Sequence, residues 1–409
     1  MKNCLAAQSG GSTVAINASL AGIISQIYKS DKYNKCYGAV NGILGVLNEN
    51  YIELSKMFST EKKINSLKCT PSMFLGSCRY KLPEIDENEK LYIQVFELFR
   101  KLNIGAFFYI GGNDSMDTVW KLSQYAKKIK SNVKIIGVPK TIDNDLCITD
   151  HTPGYGSAAK YIATSLIEIA HDTYIYPVKS VTIVEIMGRD AGWLTAASVL
   201  ARNEYSDAPH LIYLPEVDFD IDTFIDDVRQ KLNRYDNVIV AVSEGIHDKT
   251  GEYIASSGYM NDQFGHKQLS GAGKILEHIV KDKLGVKVRS VEINVLQRCA
   301  SHLASLTDLN EAFSLGLNVV KYAENGQSGI MACLNRKSNN PYLVEYTYAD
   351  ITGIANEAKK IPREWINKCG NDIEKDLIEY IRPLIIGESN VEYCDGIPKY
   401  KDISHLIHN

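Results

Sequence analysis

Apolar positions along this 409-residue chain alternate between short β-branched runs and longer stretches with helical spacing. Cys4 to Ala7, Cys36 to Val40, Ile104 to Ile110, Val133 to Val138, Val181 to Ile186, Leu211 to Leu214, Asn237 to Ser243 and Lys287 to Ile293 read as strands. The run Ile104 to Ile110 is apolar throughout, as a parallel strand is when helices cover both of its faces. Residues 14–28, 87–101, 155–170, 221–234 and 271–284 predict helices, as does the stretch carrying Val119, Trp120, Leu122 and Ile129. This alternation predicts an α/β protein of two Rossmann-like lobes, each a mostly parallel sheet covered by helices, with the active site in the cleft between them. From 43 to 74 the chain reads as loop. The segment from 246 to 269 is polar and glycine-containing, long enough to read as a lid. From 336 onward the chain is irregular, with one helix near 372–383, and reads as a C-terminal extension. Tyr342, Tyr346 and Tyr348 fall at even spacing, which puts them on one face of an edge strand.

The chemistry-bearing residues cluster where strands end. Ser9-Gly10-Gly11-Ser12-Thr13 joins the first strand to a helix, and Gly111-Gly112-Asn113-Asp114-Ser115 repeats the device. Such a turn is either a plain connection or a site where backbone N–H groups and a positive helix end meet an anion. Pro139-Lys140-Thr141-Ile142-Asp143-Asn144-Asp145 follows the buried run 133–138. Asp143 can take a proton from an alcohol, Asp145 can hold a metal and Lys140 can neutralise an anion, which together form a phosphoryl-transfer inventory. The other reading is a polar loop in which Pro139 sets the turn and Asp143 and Asn144 cap amides. Arg189, in Met187-Gly188-Arg189, is placed at a strand end to meet phosphate or developing negative charge, while Arg79, after Leu75-Gly76-Ser77-Cys78, either lines a cleft or is a solvated loop arginine.

Composition narrows the classes. With 45% hydrophobic and 23% charged residues, a net charge of -4 and lysines spread along the chain, nothing suggests a nucleic-acid partner. The nine cysteines form no C-x-x-C pair, which argues for reduced thiols used in packing and for a cytoplasmic protein. The apolar run before Gln8 is too short for a signal peptide, and no membrane span is expected. No G-x-G-x-x-G follows a strand, which counts against a nicotinamide-binding protein.

The motifs in order resemble the phosphofructokinase family: Ser9-Gly10-Gly11 with Asn17, Leu75 to Arg79, Gly111 to Ser115, Lys140 to Asp145, Met187-Gly188-Arg189, Glu244-Gly245, Phe264-Gly265-His266 and Gln297-Arg298. The resemblance covers roughly residues 4 to 330. It implies phosphoryl transfer to the 1-hydroxyl of fructose 6-phosphate, with Asp143 as base and Thr141 on the moving group. Ile142, Met187, Gly188, Arg189 and Glu244 would line the sugar-phosphate side, Arg298 would meet the 6-phosphate, and Arg289 would reach a neighbouring subunit. Gly11, Arg79, Gly112, Asp114 and Lys140 would bind the donor, and Asn113, Asp114 and Asp145 would hold Mg²⁺. The implied partners are small-molecule substrates and further copies of the chain, as a dimer or tetramer. The implied division is a donor lobe, 1–140 completed by about 255–300, a sugar-phosphate lobe, 141–250 completed by about 301–335, and the extension 336–409.

Two positions bear on the donor. ATP-using members resemble G-G-D-G-S in the second glycine turn and carry glycine before T-I-D-N-D, whereas this chain has Asp114 and Lys140 and is similar to the pyrophosphate-dependent branch. A carboxylate at Asp114 fills and repels where the α-phosphate of ATP would lie, and a fixed ammonium at Lys140 supplies charge that a donor without adenosine needs. The alternatives are an ATP-dependent sugar-phosphate kinase and a non-catalytic regulatory subunit of the same fold. Three positions depart from the family pattern: Asn113 replaces the metal-side aspartate of the ATP-type turn, Val295 stands where histidine is common, and Lys179-Ser180 lie near the place of an arginine. His266 is read as structural and Glu216 as a surface residue.

Overall fold

The computed structural model describes residues 1–255, 271–352 and 358–407. Two sheets carry the fold. The first has seven strands in the order β11-β10-β5-β4-β1-β2-β3: β1 (Lys2–Gln8), β2 (Tyr33–Ala39), β3 (Tyr51–Glu53), β4 (Ile104–Gly111), β5 (Lys134–Pro139), β10 (Ile330–Asn339) and β11 (Tyr342–Asp350). Its five inner strands run parallel, while β3 and β11 pair antiparallel at the edges. The second sheet is parallel, in the order β7-β8-β6-β9: β6 (Ser180–Ile186), β7 (Leu211–Tyr213), β8 (Asn237–Ser243) and β9 (Lys287–Glu292). The two-lobed α/β expectation therefore holds, and Tyr342, Tyr346 and Tyr348 do lie on an edge strand. No helix among the described residues is long and apolar enough to cross a membrane.

The division into lobes differs from the expectation. Residues 272–292, expected to complete the first lobe, form the helix Ala272–Leu284 and β9, which join the second sheet beside β6. Residues 301–335, expected in the second lobe, contribute the helix Leu306–Glu324, whose buried face packs against the helix Ile16–Ile27 of the first. Glycine makes that contact possible: a Cβ on Gly22 would lie 2.0 Å from the Phe313 carbonyl oxygen, and one on Gly316 would lie 2.1 Å from that of Ser19. The supposed extension begins inside β10, so the β10–β11 hairpin is part of the first sheet. The stretch after β2 is not all loop, because it holds the helices Gly42–Leu47, Leu54–Met57 and Glu61–Lys68. Each is only four to eight residues long, too short for a helical period to register.

The cores explain the strand runs. Leu5, Ala7, Phe107, Tyr109 and Ile135 face one side of the first sheet, while Cys4, Ala6, Phe108, Ile110 and Ile136 face the other, and all are buried. The second lobe likewise buries Val181 and Ile183 in one cluster and Val184 and Ile186 in another. Strand carboxyl ends of both sheets converge on one cleft. Seven of the nine cysteines are buried or half-buried, but Cys369 and Cys394 are exposed and do no packing.

Candidate active site

A cleft of about 460 Å³ lies at the strand ends and brings together every candidate site residue except Arg289. Gly11, Arg79, Gly112, Asn113, Asp114 and Lys140 line one side, Met187, Gly188, Arg189, Glu244 and Arg298 another, and Thr141, Ile142, Asp143 and Asp145 lie with them. Arg289 is outside it: its guanidinium bonds Asp172 Oδ2 at 2.8 Å, Thr173 Oγ1 at 2.7 Å and Thr182 Oγ1 at 3.2 Å. Phe264-Gly265-His266 and residues 256–269 of the expected lid lie outside the described residues.

Lys140 emerges from β5 directly beneath the first glycine turn. Its Nζ donates to the Ser9 carbonyl at 2.8 Å and the Gly11 carbonyl at 2.6 Å, and the side chain is 1% exposed. Burial draws its pKa down to about 7, with Asp143 acting in the other direction. The turn itself uses glycine at a left-handed position, Gly10 at φ 81°. Arg298 comes up beside it, and a Cβ on Gly11 would lie 3.7 Å from Arg298 Nη1.

The loop after β5 orders its own carboxylates. Thr141 Oγ1 accepts from the Asp143 amide at 3.1 Å and donates to Asp143 Oδ2 at 3.4 Å. Burial pushes the Asp143 carboxyl up, while Arg189 and Lys140 pull it back. Burial and the charge of Asp143 push Asp145 up to about 7. Asp145 Oδ2 accepts from Asn113 Nδ2 at 3.2 Å, and Asn113 Oδ1 is buried and has no hydrogen-bond partner among the described residues. Asn144, at φ 54°, turns away from the cleft, where Nδ2 donates to Tyr380 Oη at 3.0 Å and Oδ1 accepts from the Thr152 amide at 3.1 Å.

On the opposite wall, β6 ends in a tight turn with Gly188 at φ 145° and Arg189 at φ 50°. Glu244, at the end of the neighbouring β8, holds that turn: its Oε1 accepts from the amides of Gly188 at 3.2 Å and Arg189 at 3.1 Å. Burial pushes the Glu244 carboxyl up to about 7. The next residue must be glycine, since a Cβ on Gly245 would lie 1.7 Å from the Arg189 carbonyl oxygen.

Other residues reach the site without a motif. Lys81, Asp117 and Asp190 line the cleft, and Lys81 stands two positions beyond Arg79, a same-side spacing in extended chain that could have flagged it. Asp117 is held by buried Lys121, whose Nζ lies 2.8 Å from Asp117 Oδ2 and 2.9 Å from Glu84 Oε1. Glu216 is not a surface residue: its half-buried carboxylate accepts from the Gly192 amide at 2.8 Å and the Ile361 amide at 3.2 Å. It ties the region after the Arg189 turn to the C-terminal segment.

Residues 3–323 match the family model described as Phosphofructokinase. A protein of Xanthomonas campestris pv. campestris, named pyrophosphate–fructose 6-phosphate 1-phosphotransferase, is 43% identical over 99% of this chain and 96% of its own length. A protein of the same name from Halomonas elongata is 40% identical over 97% and 95%. Among solved structures, a pyrophosphate-dependent phosphofructokinase from Marinobacter aquaeolei superposes with a TM-score of 0.87 at 38% identity, covering 98% of this chain and 95% of that one.

Proposed function

The chain belongs to the phosphofructokinase family, and on that premise we propose how its cleft works. The enzyme transfers a phosphoryl group from pyrophosphate to the 1-hydroxyl of fructose 6-phosphate, releasing fructose 1,6-bisphosphate and phosphate, a step of glycolysis. Because one phosphoanhydride is exchanged for a phosphate ester without nucleotide, the reaction runs in both directions. The observation that carries the donor assignment is the pair around the glycine turns: Lys140 fixed beneath Gly11, and the Asp114 carboxylate in the turn at Gly112.

In this reading Asp143 takes the proton of O1 as that oxygen attacks the transferred phosphorus, and the bond to the leaving phosphate breaks in line. Thr141 orients the base through its two contacts and meets the moving group. A base whose pKa is lifted by burial takes the alcohol proton with less penalty than a solvated carboxylate would. Lys140, Arg79 and the amides at Gly11 and Gly112 hold the diphosphate, and Arg189 offsets charge developing on the equatorial oxygens. Ile142, Met187, Gly188 and Arg298 line the sugar-phosphate side, with Glu244 fixing the Arg189 turn and offering its second oxygen to a sugar hydroxyl.

Mg²⁺ fits the donor set, which is all oxygen: Asp145 beside the buried Asn113 Oδ1, which has no partner among the described residues, with Asp114 on the same turn. Mg²⁺ takes one or two carboxylates, keeps several waters and shares substrate oxygens. When bound it would neutralise diphosphate charge. The reading extends to a homo-oligomer, dimer or tetramer. It is supported by β9 being the edge of the second sheet and by Arg289 lying on that strand, away from this chain's cleft.

The test is donor dependence. Fructose 1,6-bisphosphate formation is measured with fructose 6-phosphate, Mg²⁺ and either pyrophosphate or ATP, for the wild type and for Asp114→Gly/Lys140→Gly. Activity with pyrophosphate, weakened by the double change, supports the reading; a wild type that prefers ATP, or is silent with both, refutes it.

A further inference from the structure

We infer that Lys359, in the C-terminal segment, is a positioning residue that locks the loop bearing Asp143 and Asp145 against the wall bearing Arg189. This rests on the proposed phosphoryl transfer and adds to it a residue that touches neither substrate. The geometry is a staple. On one side, the Lys359 amide donates to the Asp145 carbonyl at 2.7 Å, and its Nζ donates to the carbonyl of Asp150 at 2.6 Å, to that of Thr149 at 3.3 Å and to Asn144 Oδ1 at 3.3 Å. The preceding Ala358 forms an isolated antiparallel bridge with Leu146. On the other side, the Lys359 carbonyl accepts from Trp193 Nε1 at 2.8 Å, and the ammonium lies 5.1 Å from the centre of the Trp193 ring. Trp193 opens the short helix that follows the Arg189 turn. Two residues on, Ile361 shares the Glu216 carboxylate with Gly192.

The base hangs from the end of β5 in one sheet, and the charge-offsetting arginine from the end of β6 in the other. Each sheet fixes its own loop, but in-line transfer depends on the distance between the two, and misplacement by about 1 Å costs roughly 100-fold in rate. Lys359 bonds to both loops at once. The glycine turns that would hold the donor hang from β1 and β4, and Lys359 makes none of its hydrogen bonds to them. Loss of the ammonium should therefore lower kcat while leaving the affinity for pyrophosphate alone.

The experiment compares wild type, Lys359→Met, Lys359→Arg and Trp193→Phe in the pyrophosphate assay, well below each variant's melting temperature. Methionine keeps the backbone bonds and an unbranched side chain, one atom shorter, but removes three donor contacts. The expected result is a kcat lower by roughly 10- to 100-fold in both reaction directions, a KM for pyrophosphate within about twofold of wild type, and substantial recovery in Lys359→Arg. A folded Lys359→Met with wild-type kcat overturns the inference, as does a loss spread equally over kcat and both KM values. Should Lys359→Met fail to fold, Trp193→Phe, which removes the indole N–H while keeping a smaller aromatic ring at the site, decides: a lower kcat at unchanged pyrophosphate KM supports the staple, and unchanged kcat overturns it. An inactive wild type would instead refute the proposed function itself.

Discussion

Replacing Lys140 with methionine separates what the ammonium does for the fold from what it does for the chemistry. Burial draws its pKa from 10.5 to about 7, which amounts to roughly 5 kcal/mol against the charged form. Against that stand the donors it gives to Ser9 at 2.8 Å and Gly11 at 2.6 Å, carbonyls that would each cost about 1–3 kcal/mol if left unpaired. The two sides nearly cancel, so Lys140→Met should unfold within about 2 kcal/mol of wild type at pH 7. The pH dependence carries a definite sign. Between about 7 and 10.5 the unfolded lysine binds a proton that the folded one lacks, so wild-type stability rises with pH by up to about 1.4 kcal/mol per unit from this group. That contribution is lost as pH falls through 7. Urea unfolding at two pH values, about 7.5 and 9.5, should therefore show wild type gaining roughly 2.5 kcal/mol on the variant. Activity behaves otherwise: fructose 1,6-bisphosphate formation from pyrophosphate should fall about 100- to 1000-fold, the scale for one preorganised charge donor. A variant that keeps more than about a tenth of the rate, or a stability difference that does not change with pH, would refute the reasoning.

Two further substitutions probe the opposite walls. Asp143→Asn should lower kcat by about 100- to 10,000-fold at little change in KM for the sugar, and because burial disfavours this carboxylate's charge, calorimetry should show a melting temperature equal to or above wild type; near-normal turnover would remove Asp143 from the role of base. Gly245→Ala places a Cβ 1.7 Å from the Arg189 carbonyl, and since backbone must move, steady-state kinetics should show kcat down by roughly tenfold or more, with about 1–3 kcal/mol lost in urea unfolding; an unperturbed enzyme would mean that the Arg189 turn tolerates displacement.

What could be read from the sequence follows from how local each signal is. The strands were legible because β4 and β6 are buried on both faces, so their apolar runs record burial without reference to any partner. The glycine turns and the Thr141–Asp145 loop were legible because each follows such a strand directly. Partnership was not legible: the pattern of Leu306–Glu324 declares a buried face, but only the fold brings Gly316 against Ser19, and β9 carries no mark of whether it joins β6 or the first sheet. The same limit hid Lys359 and Tyr380. Lys359 stands in a stretch with little periodicity, and Tyr380 falls within the helix expected near 372–383; neither carries a motif, and their meaning lies in what approaches them: Trp193 from one lobe, Asn144 and Asp150 from the other. Since C-terminal residues join the carboxylate loop to the wall that carries Arg189, the segment read as an extension is a structural part of the cleft. Changes there should register as changes in turnover before they register as changes in binding.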